Sequence, residues 1–396
     1  MKLPEVVRSL SQHQSAVSIE EVSLDEVFLR CLAVNIKAEY DNPPFSCSRW
    51  DGYALCAGSS SRGWLRIVQG REVVAGQVPD FRVKQGTCVP VMTGAVIPDG
   101  ANAVVKREDT ELAEDSVKIL VPVLPGSGVI PQGNEWSRGD MVISSGTIVT
   151  PWAWALLAET GCAKIKVYRK PLIGFLAIGS ELALPGCDLT YGKRYAGGQY
   201  FLAGIARFFG CDVLDRGVVS DDPSAIESAI CSLERCDLIV TVGGTGKGVR
   251  DYTGRIWKSL GAEILFDRVD IKPGMSSCGG MWNGKAWLSL PGGVIGGAAI
   301  FCEVLNGLMK KWFRRKEDVI PSASFTIGES LSFKGKQARA VWGYVEFHES
   351  MPIFFPHHGL KRFTHEKNGY ILLPEETKSL KYATVQTGRL ISLMTA

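Results

Sequence analysis

The chain has 396 residues, 45% of them hydrophobic and 21% charged, with a formal net charge of +3. That length predicts roughly two to four domains, and the composition is that of an ordinary soluble protein with a real core. The small net charge and the absence of a basic block exclude a nucleic-acid-binding reading, and no window reaches the roughly 18–20 apolar residues of a membrane span.

The first residues, MKLPEVVRSLSQHQS, lack the apolar centre of a signal peptide. Eleven cysteines without a C-x-x-C pair read as reduced thiols of a cytoplasmic protein. In SIEEVSLDEVFLRCLAVNI the apolar residues follow a 3.6-residue period, so residues 1–37 are expected to be helical. From 38 to 138 the texture changes to short β-rich runs broken by glycine and proline, which predicts a small β domain. TPWAWALLAETGC then predicts a helix with Thr150 as N-cap and Pro151 in its first turn. Segments 1–37 and 139–170 are therefore expected to form one discontinuous helical linker domain, with the β domain inserted between them.

Residues 171–315 alternate strands and helices. PLIGFLAIG, CDVLDRGVV, CDLIVTVGG and WLSLPGG read as strands, and GGQYFLAGIARFFG and SDDPSAIESAICSLER as helices, the latter with Asp222 as cap. Strands that are apolar throughout predict a parallel sheet covered on both faces. The cluster KKWFRRKED reads as a solvated helix end running into a linker. Residues 320–396 return to short strands, a second small β domain. Four of the five histidines, His348, His357, His358 and His365, fall there. No cysteine or carboxylate spacing accompanies them that would mark a zinc site.

TVGGTGKGVRDYT, residues 241–253, is not a nucleotide-binding P-loop. That motif would need glycine at Thr241 and a hydroxyl at Gly248. A different chemistry follows from topology. Ligands of open α/β sheets bind beyond the carboxyl ends of the strands. The strand ends AIGSEL, TVGGTGKG and SLPGGVIGG would share one rim if their strands are parallel. Gly179, Ser180, Gly243, Gly244, Gly246, Pro291 and Gly292 could cradle an anion there with backbone N–H groups. Lys247, Arg250 and Lys272 add positive charge, and Glu181 and Asp251 are candidate ligands of a divalent cation. The alternative for any single turn is a purely structural glycine.

The motifs SRWDGYAL, VMTGAVIPDGANAVVKRED, GSELALPG, GGTGKGVRDYT, IKPGM and LPGG stand in an order that resembles the molybdopterin molybdenumtransferase family, which includes the bacterial MoeA proteins and the E domain of gephyrin. The resemblance runs over essentially the whole length. It implies a multidomain α/β plus β fold: a MogA-like three-layer α/β domain, an inserted β domain, a helical linker domain and a C-terminal β-barrel. It also implies a homodimer whose cleft is shared between subunits. The implied activity is insertion of molybdate into adenylylated molybdopterin, using Mg2+ or another divalent cation, with release of AMP. Other cofactor-biosynthesis proteins are implied as further partners. By position, Asp51, Thr93, Asp251 and Lys272 match family catalytic residues, and Glu135 stands where the family has aspartate. Asp51, Glu181 and Asp251 match its metal ligands.

The departures cluster on the α/β rim. Ala196, Gly197 and Gly198 replace polar residues, Ser180 replaces an aspartate, and Gly246 and Val249 replace a serine and a glutamate. Met275 replaces a lysine, and Gly293, Val294 and Gly296 replace asparagine, proline and serine. Lys247 and Arg250 are expected to take over part of the lost anion contact. A non-catalytic pterin- or nucleotide-binding paralogue, acting as carrier or scaffold, is the alternative reading.

Overall fold

The computed structural model describes residues 1–58, 61–245, 253–348, 351–356 and 368–391. The chain opens with α1 (Leu3–Ser11) and β1 (Ile19–Ser23), followed by β2 (Gly52–Leu55), β3 (Ser61–Ile67), β4 (Thr87–Val91), β5 (Ala103–Lys106), β6 (Thr110–Ala113) and β7 (Ser116–Val123). Next come α2 (Pro151–Glu159), β8 (Lys164–Tyr168), β9 (Leu172–Ile178), α3 (Gly198–Phe208), β10 (Asp212–Val219), α4 (Pro223–Cys231) and β11 (Leu238–Val242). They are followed by α5 (Thr253–Ser259), β12 (Glu263–Phe266), β13 (Cys278–Trp282), β14 (Lys285–Leu290) and α6 (Ala298–Trp312). The last strands are β15 (Ser322–Ile327), β16 (Ala338–Glu346), β17 (Ile353–Pro356), β18 (Gly369–Leu373) and β19 (Val385–Leu390). Among the described residues no helix is long and apolar enough to cross a membrane. All eleven cysteines are free thiols.

The helical expectation for residues 1–37 fails beyond Ser11. β1 pairs antiparallel with β8, Ile19 opposite Tyr168 and Ser23 opposite Lys164. Ser23 and Glu26 do form a capping box, but it starts only a single 3-10 turn, Leu24–Glu26. Leu29 then takes a φ of 60°, a left-handed conformation that no helix of L-residues continues through. Val27, Leu32 and Ile36, which carry the apparent helical period, reach one core with Val149, Leu157 and Val167 by bends instead. In 139–170 the predicted helix does form: Thr150 accepts from the Ala153 amide and Pro151 is the first residue of α2.

The residues between these segments build a six-stranded sheet in the order β5-β2-β4-β3-β7-β6. Its central strand β2 alternates by the two-residue period of a strand: Tyr53 and Leu55 enter one core and Ala54 another. Gly52 is required by close packing, because a Cβ there would stand 1.9 Å from the Val105 carbonyl oxygen. This contact sets the position of Asp51 at the start of the strand.

The α/β sheet has the order β10-β9-β11-β14-β13-β12. The first four strands are parallel. The all-parallel expectation is corrected at β13, which pairs antiparallel with both β14 and β12. Gly279 and Gly280 disguise β13 in the sequence, since glycine is depleted in strands. Here a Cβ on Gly280 would meet the Glu263 carbonyl at 1.8 Å. Both sheet faces are covered. Ile173, Phe175, Val240 and Leu288 pack under α3 and α6, whereas Leu176, Ile178, Ile239 and Trp287 pack under α4 and α5. Trp257 of α5 stacks on Trp287 at 4.5 Å.

Strands β16, β17, β15, β19 and β18 close into a five-stranded barrel, because β16 pairs with both β17 and β18. A shared polar cluster joins the barrel to α6. Arg389 Nε and Nη2 donate to Glu303 at 3.0 and 3.2 Å, and Nη1 donates to Asp318 at 2.5 Å. The Tyr370 hydroxyl donates to Glu303 at 2.8 Å. Burial pushes the Asp318 carboxyl up, but hydrogen bonds from Arg389 and Lys310 outweigh it and hold the group at about 2. A carboxyl depressed below its ordinary 3.8 stabilises the fold above pH 4, and that contribution is lost as the pH falls toward 2. Arg389→Met strands two partly buried carboxylates, so thermal or urea unfolding at neutral pH should show a loss on the order of 3 kcal/mol. The same variant should show a weaker acid dependence between roughly pH 4 and 2. An unchanged unfolding midpoint would show that the cluster does not hold the barrel.

Candidate functional site

The parallel register of β9, β11 and β14 pairs Ala177 with Val242 and Val242 with Leu290. The turns that follow these strands therefore lie side by side on one rim. Gly243 takes a φ of +104°, and a Cβ there would meet the Ile178 carbonyl oxygen at 2.1 Å, so only glycine fits. The amides of Gly179 and Gly243 are already used in extending the sheet. Gly179 donates to the Val219 carbonyl at 3.0 Å and Gly243 to the Leu290 carbonyl at 2.8 Å. Among the described residues no backbone acceptor meets the amides of Gly244 and Gly292. Ser180 is tied to Asp221: its amide donates to that carboxylate and its hydroxyl accepts from the Asp221 amide, each at 3.0 Å. Pro291 and Gly292 begin the turn after β14, with Gly292 beside Gly243.

The IKPGM loop joins this rim. A Cβ on Gly274 would stand 2.9 Å from the Gly296 carbonyl oxygen, and Thr245 and Ser276 share a hydroxyl contact at 3.2 Å. Lys272 is exposed at the start of the loop, where Ile271–Lys272 pairs parallel with β16 of the barrel strands. A cavity of about 440 Å³ opens beside the loop, lined by Thr245, Met275 and Ser276 together with Arg255, Lys258 and Arg268. Met275 thus shares this lining with Arg255, Lys258, Arg268 and also Asp267, charged residues that the sequence did not single out. A larger cavity, about 1110 Å³, lies between α1, the end of α6 and the barrel. It contains none of the predicted site residues, so its size does not make it the site.

Asp51 and Thr93 form a separate unit on the N-terminal sheet. Asp51 Oδ1 accepts from the Thr93 amide at 2.7 Å and from its hydroxyl at 2.8 Å. The Thr93 amide, then the hydroxyl, hold the exposed Asp51 carboxyl below the usual carboxylate range. Glu135 is exposed and accepts from the Asn134 side chain at 3.2 Å. Among the described residues neither Asp51, Thr93 nor Glu135 makes a hydrogen bond or ion pair to the rim of its own chain. Glu181 is on the rim, and its partner is Arg194 at 3.3 Å. Gly246, Lys247, Arg250 and Asp251 lie outside the described residues, as do His357, His358 and His365. His348 pairs with Glu346 at 3.4 Å.

The donor chemistry suits a hard divalent cation: Asp51 and Glu181 offer exposed carboxylate oxygens. The described residues of one chain do not bring three metal-ligating side chains together.

Thr93→Val deletes one of the two donors to Asp51 and keeps the amide. The Asp51 pKa should rise toward its ordinary value without reaching it, as read by carboxyl NMR across a pH titration. An unmoved titration would show that the hydroxyl does not set the state of Asp51.

Comparison with known proteins follows this geometry. Residues 1–161 match the model of the MoeA N-terminal region (domain I and II), and residues 174–311 match that of a probable molybdopterin binding domain. The chain is 32% identical over 293 residues to the molybdopterin molybdenumtransferase of Staphylococcus aureus, covering 73% of this chain and 70% of that protein. It is 32% identical over 292 residues to the Staphylococcus epidermidis protein of the same name, covering 72% and 70%. The fold is similar to that of the molybdopterin biosynthesis MoeA protein of Pyrococcus horikoshii, with a TM-score of 0.82 at 24% identity over 98% of this chain and 99% of that one. A molybdenum cofactor biosynthesis protein of Pyrococcus furiosus shares the fold at a TM-score of 0.58 and 14% identity, over 98% and 99%. The chain belongs to the molybdopterin molybdenumtransferase family, the family of the MoeA proteins.

Proposed function

We propose that the chain is a molybdopterin molybdenumtransferase of molybdenum cofactor biosynthesis, inserting molybdate into adenylylated molybdopterin with release of AMP. The observation that carries this reading is the contiguous rim of three strand-end turns closed by the IKPGM loop, in a chain of the transferase family. Gly244 and Gly292 present amides to the anionic groups of the substrates, with Gly179, Ser180, Gly243, Pro291 and the sequence-assigned Gly246 shaping the turns. Lys272, Lys247 and Arg250 supply charge to the same groups. Asp51, oriented by Thr93, and the carboxylates of Glu135 and Asp251 complete the reacting set.

Asp51, Glu181 and Asp251 would hold Mg2+ or another divalent cation. When bound, that ion supplies Lewis-acid polarisation of the phosphoanhydride. Among the described residues Asp51 makes no hydrogen bond or ion pair to its own rim, so the reading includes a homodimer in which Asp51 of one copy faces Glu181 of the other. The units of this reading are 1–37 with 139–170, 38–138, 171–315 and 320–396. Delivery involves other cofactor-biosynthesis proteins, and free thiols suit a cytoplasmic location. A non-catalytic carrier or scaffold is the less favoured reading, because the Asp51–Thr93 pair is kept intact.

AMP release from adenylylated molybdopterin in the presence of molybdate tests the proposal. Asp51→Asn and Asp251→Asn should each lower the rate by roughly 10²-fold or more, with pterin affinity kept within about threefold. Tight pterin binding without AMP release under any divalent cation would identify a carrier instead.

A further inference from the structure

The excursion between β9 and α3 ends in Ala196 and Gly197, which offer no polar side chain. The same excursion carries Arg194. Leu182–Ala183 pairs in parallel with Arg194–Tyr195, and the Arg194 amide donates to the Glu181 carbonyl at 2.9 Å. Its backbone is thereby fixed beside the turn after β9. Its Nη2 lies 3.3 Å from Glu181 Oε1 and 3.8 Å from where a Cβ on Gly292 would stand. One side chain therefore spans the turns after β9 and β14. Gly292 has no side chain to fill the space beside its guanidinium.

The pairing with Glu181 is weak by construction. It is one contact at 3.3 Å between side chains 61% and 46% exposed, the kind of ion pair that contributes little in water. A guanidinium fork matches a tetrahedral oxyanion in two parallel hydrogen bonds, which a single long contact to a carboxylate does not offer. A doubly charged anion at Gly292 would thus draw Arg194 away from Glu181. Glu181 would then be free to face a cation.

We infer that Arg194 is a further anion-binding side chain of this rim, holding a tetrahedral oxyanion over Gly292, and that in the free chain it competes with a divalent cation for Glu181. The inference rests on the functional reading above and adds a residue to it. The oxyanion is either a phosphate of the adenylylated pterin or molybdate. Anion and cation binding are consequently coupled with positive sign, each favouring the other.

Arg194→Gln and Arg194→Lys test this in the full chain, with AMP, inorganic phosphate and molybdate titrated separately by calorimetry and Mn2+ by electron paramagnetic resonance. Arg194→Gln should weaken oxyanion binding about fivefold at low salt, with the difference shrinking as salt rises. The same variant should bind Mn2+ more tightly in the absence of anion, because Glu181 has lost its internal cation. Arg194→Lys should recover part of the anion affinity. Loss confined to AMP and phosphate assigns the phosphate as the occupant, loss confined to molybdate assigns molybdate, and either supports the inference. Unchanged affinity for all three anions overturns it, as does joint weakening of anion and Mn2+, which a merely structural role would produce. AMP release by the unsubstituted chain separates the two readings. If release is present while Arg194→Gln binds anions normally, only the role of Arg194 falls; if release is absent, the functional reading falls and this inference with it.

Discussion

The parallel register of β9, β11 and β14 is the constraint on which the rest of the candidate site depends. It places Ala177, Val242 and Leu290 at one level, so the chain must turn three times within the same small region. The turns can be that close only because Gly243 has no side chain to meet the Ile178 carbonyl. Around this fixed point the Gly274 loop packs on the turn after β14, Thr245 reaches Ser276, and Arg194 bridges Glu181 and Gly292. Backbone geometry thus brings together groups that lie more than a hundred residues apart.

Several polar groups of the rim are already engaged within the chain. Ser180 is tied to Asp221, and the amides of Gly179 and Gly243 belong to the sheet. Among the described residues the amides of Gly244 and Gly292 meet no backbone acceptor, and the guanidinium of Arg194 stands close to Gly292. Beside Met275, Arg255, Lys258 and Arg268 line a cavity together with Asp267. The Asp51–Thr93 pair is built independently on the inserted sheet, through the close contact of Gly52 with Val105. Among the described residues no hydrogen bond or ion pair joins the Asp51–Thr93 pair to the rim, and that is the physical reason for proposing a second copy.

Much of the α/β unit was legible because its strands are buried on both faces and so read as unbroken apolar runs, and because Thr150 with Pro151 and Asp222 with Pro223 mark helix starts. The shared rim was legible for the same reason, since parallel strands place their ends together. β13 was not, because Gly279 and Gly280 serve close packing rather than β propensity. Residues 19–37 misled because bends bring Val27, Leu32 and Ile36 to one core at intervals that mimic a helix. Arg194, Arg255, Lys258 and Arg268 were not legible beside the rim and its neighbouring cavity, because a charged residue in a loop or short helix carries no local sign of what the fold places next to it.

The account rests most heavily on a site assembled from two copies, and subunit complementation measures this directly. Asp51→Asn and Glu181→Gln chains are each prepared, then mixed and allowed to exchange before AMP release is assayed. In a shared site, each mixed dimer carries one doubly altered and one intact site, so activity should return to about one quarter of the unsubstituted value at equal mixing. If both carboxylates served the site of their own chain, every site would keep one defect. Mixing would then restore nothing, and the two-copy account would be contradicted.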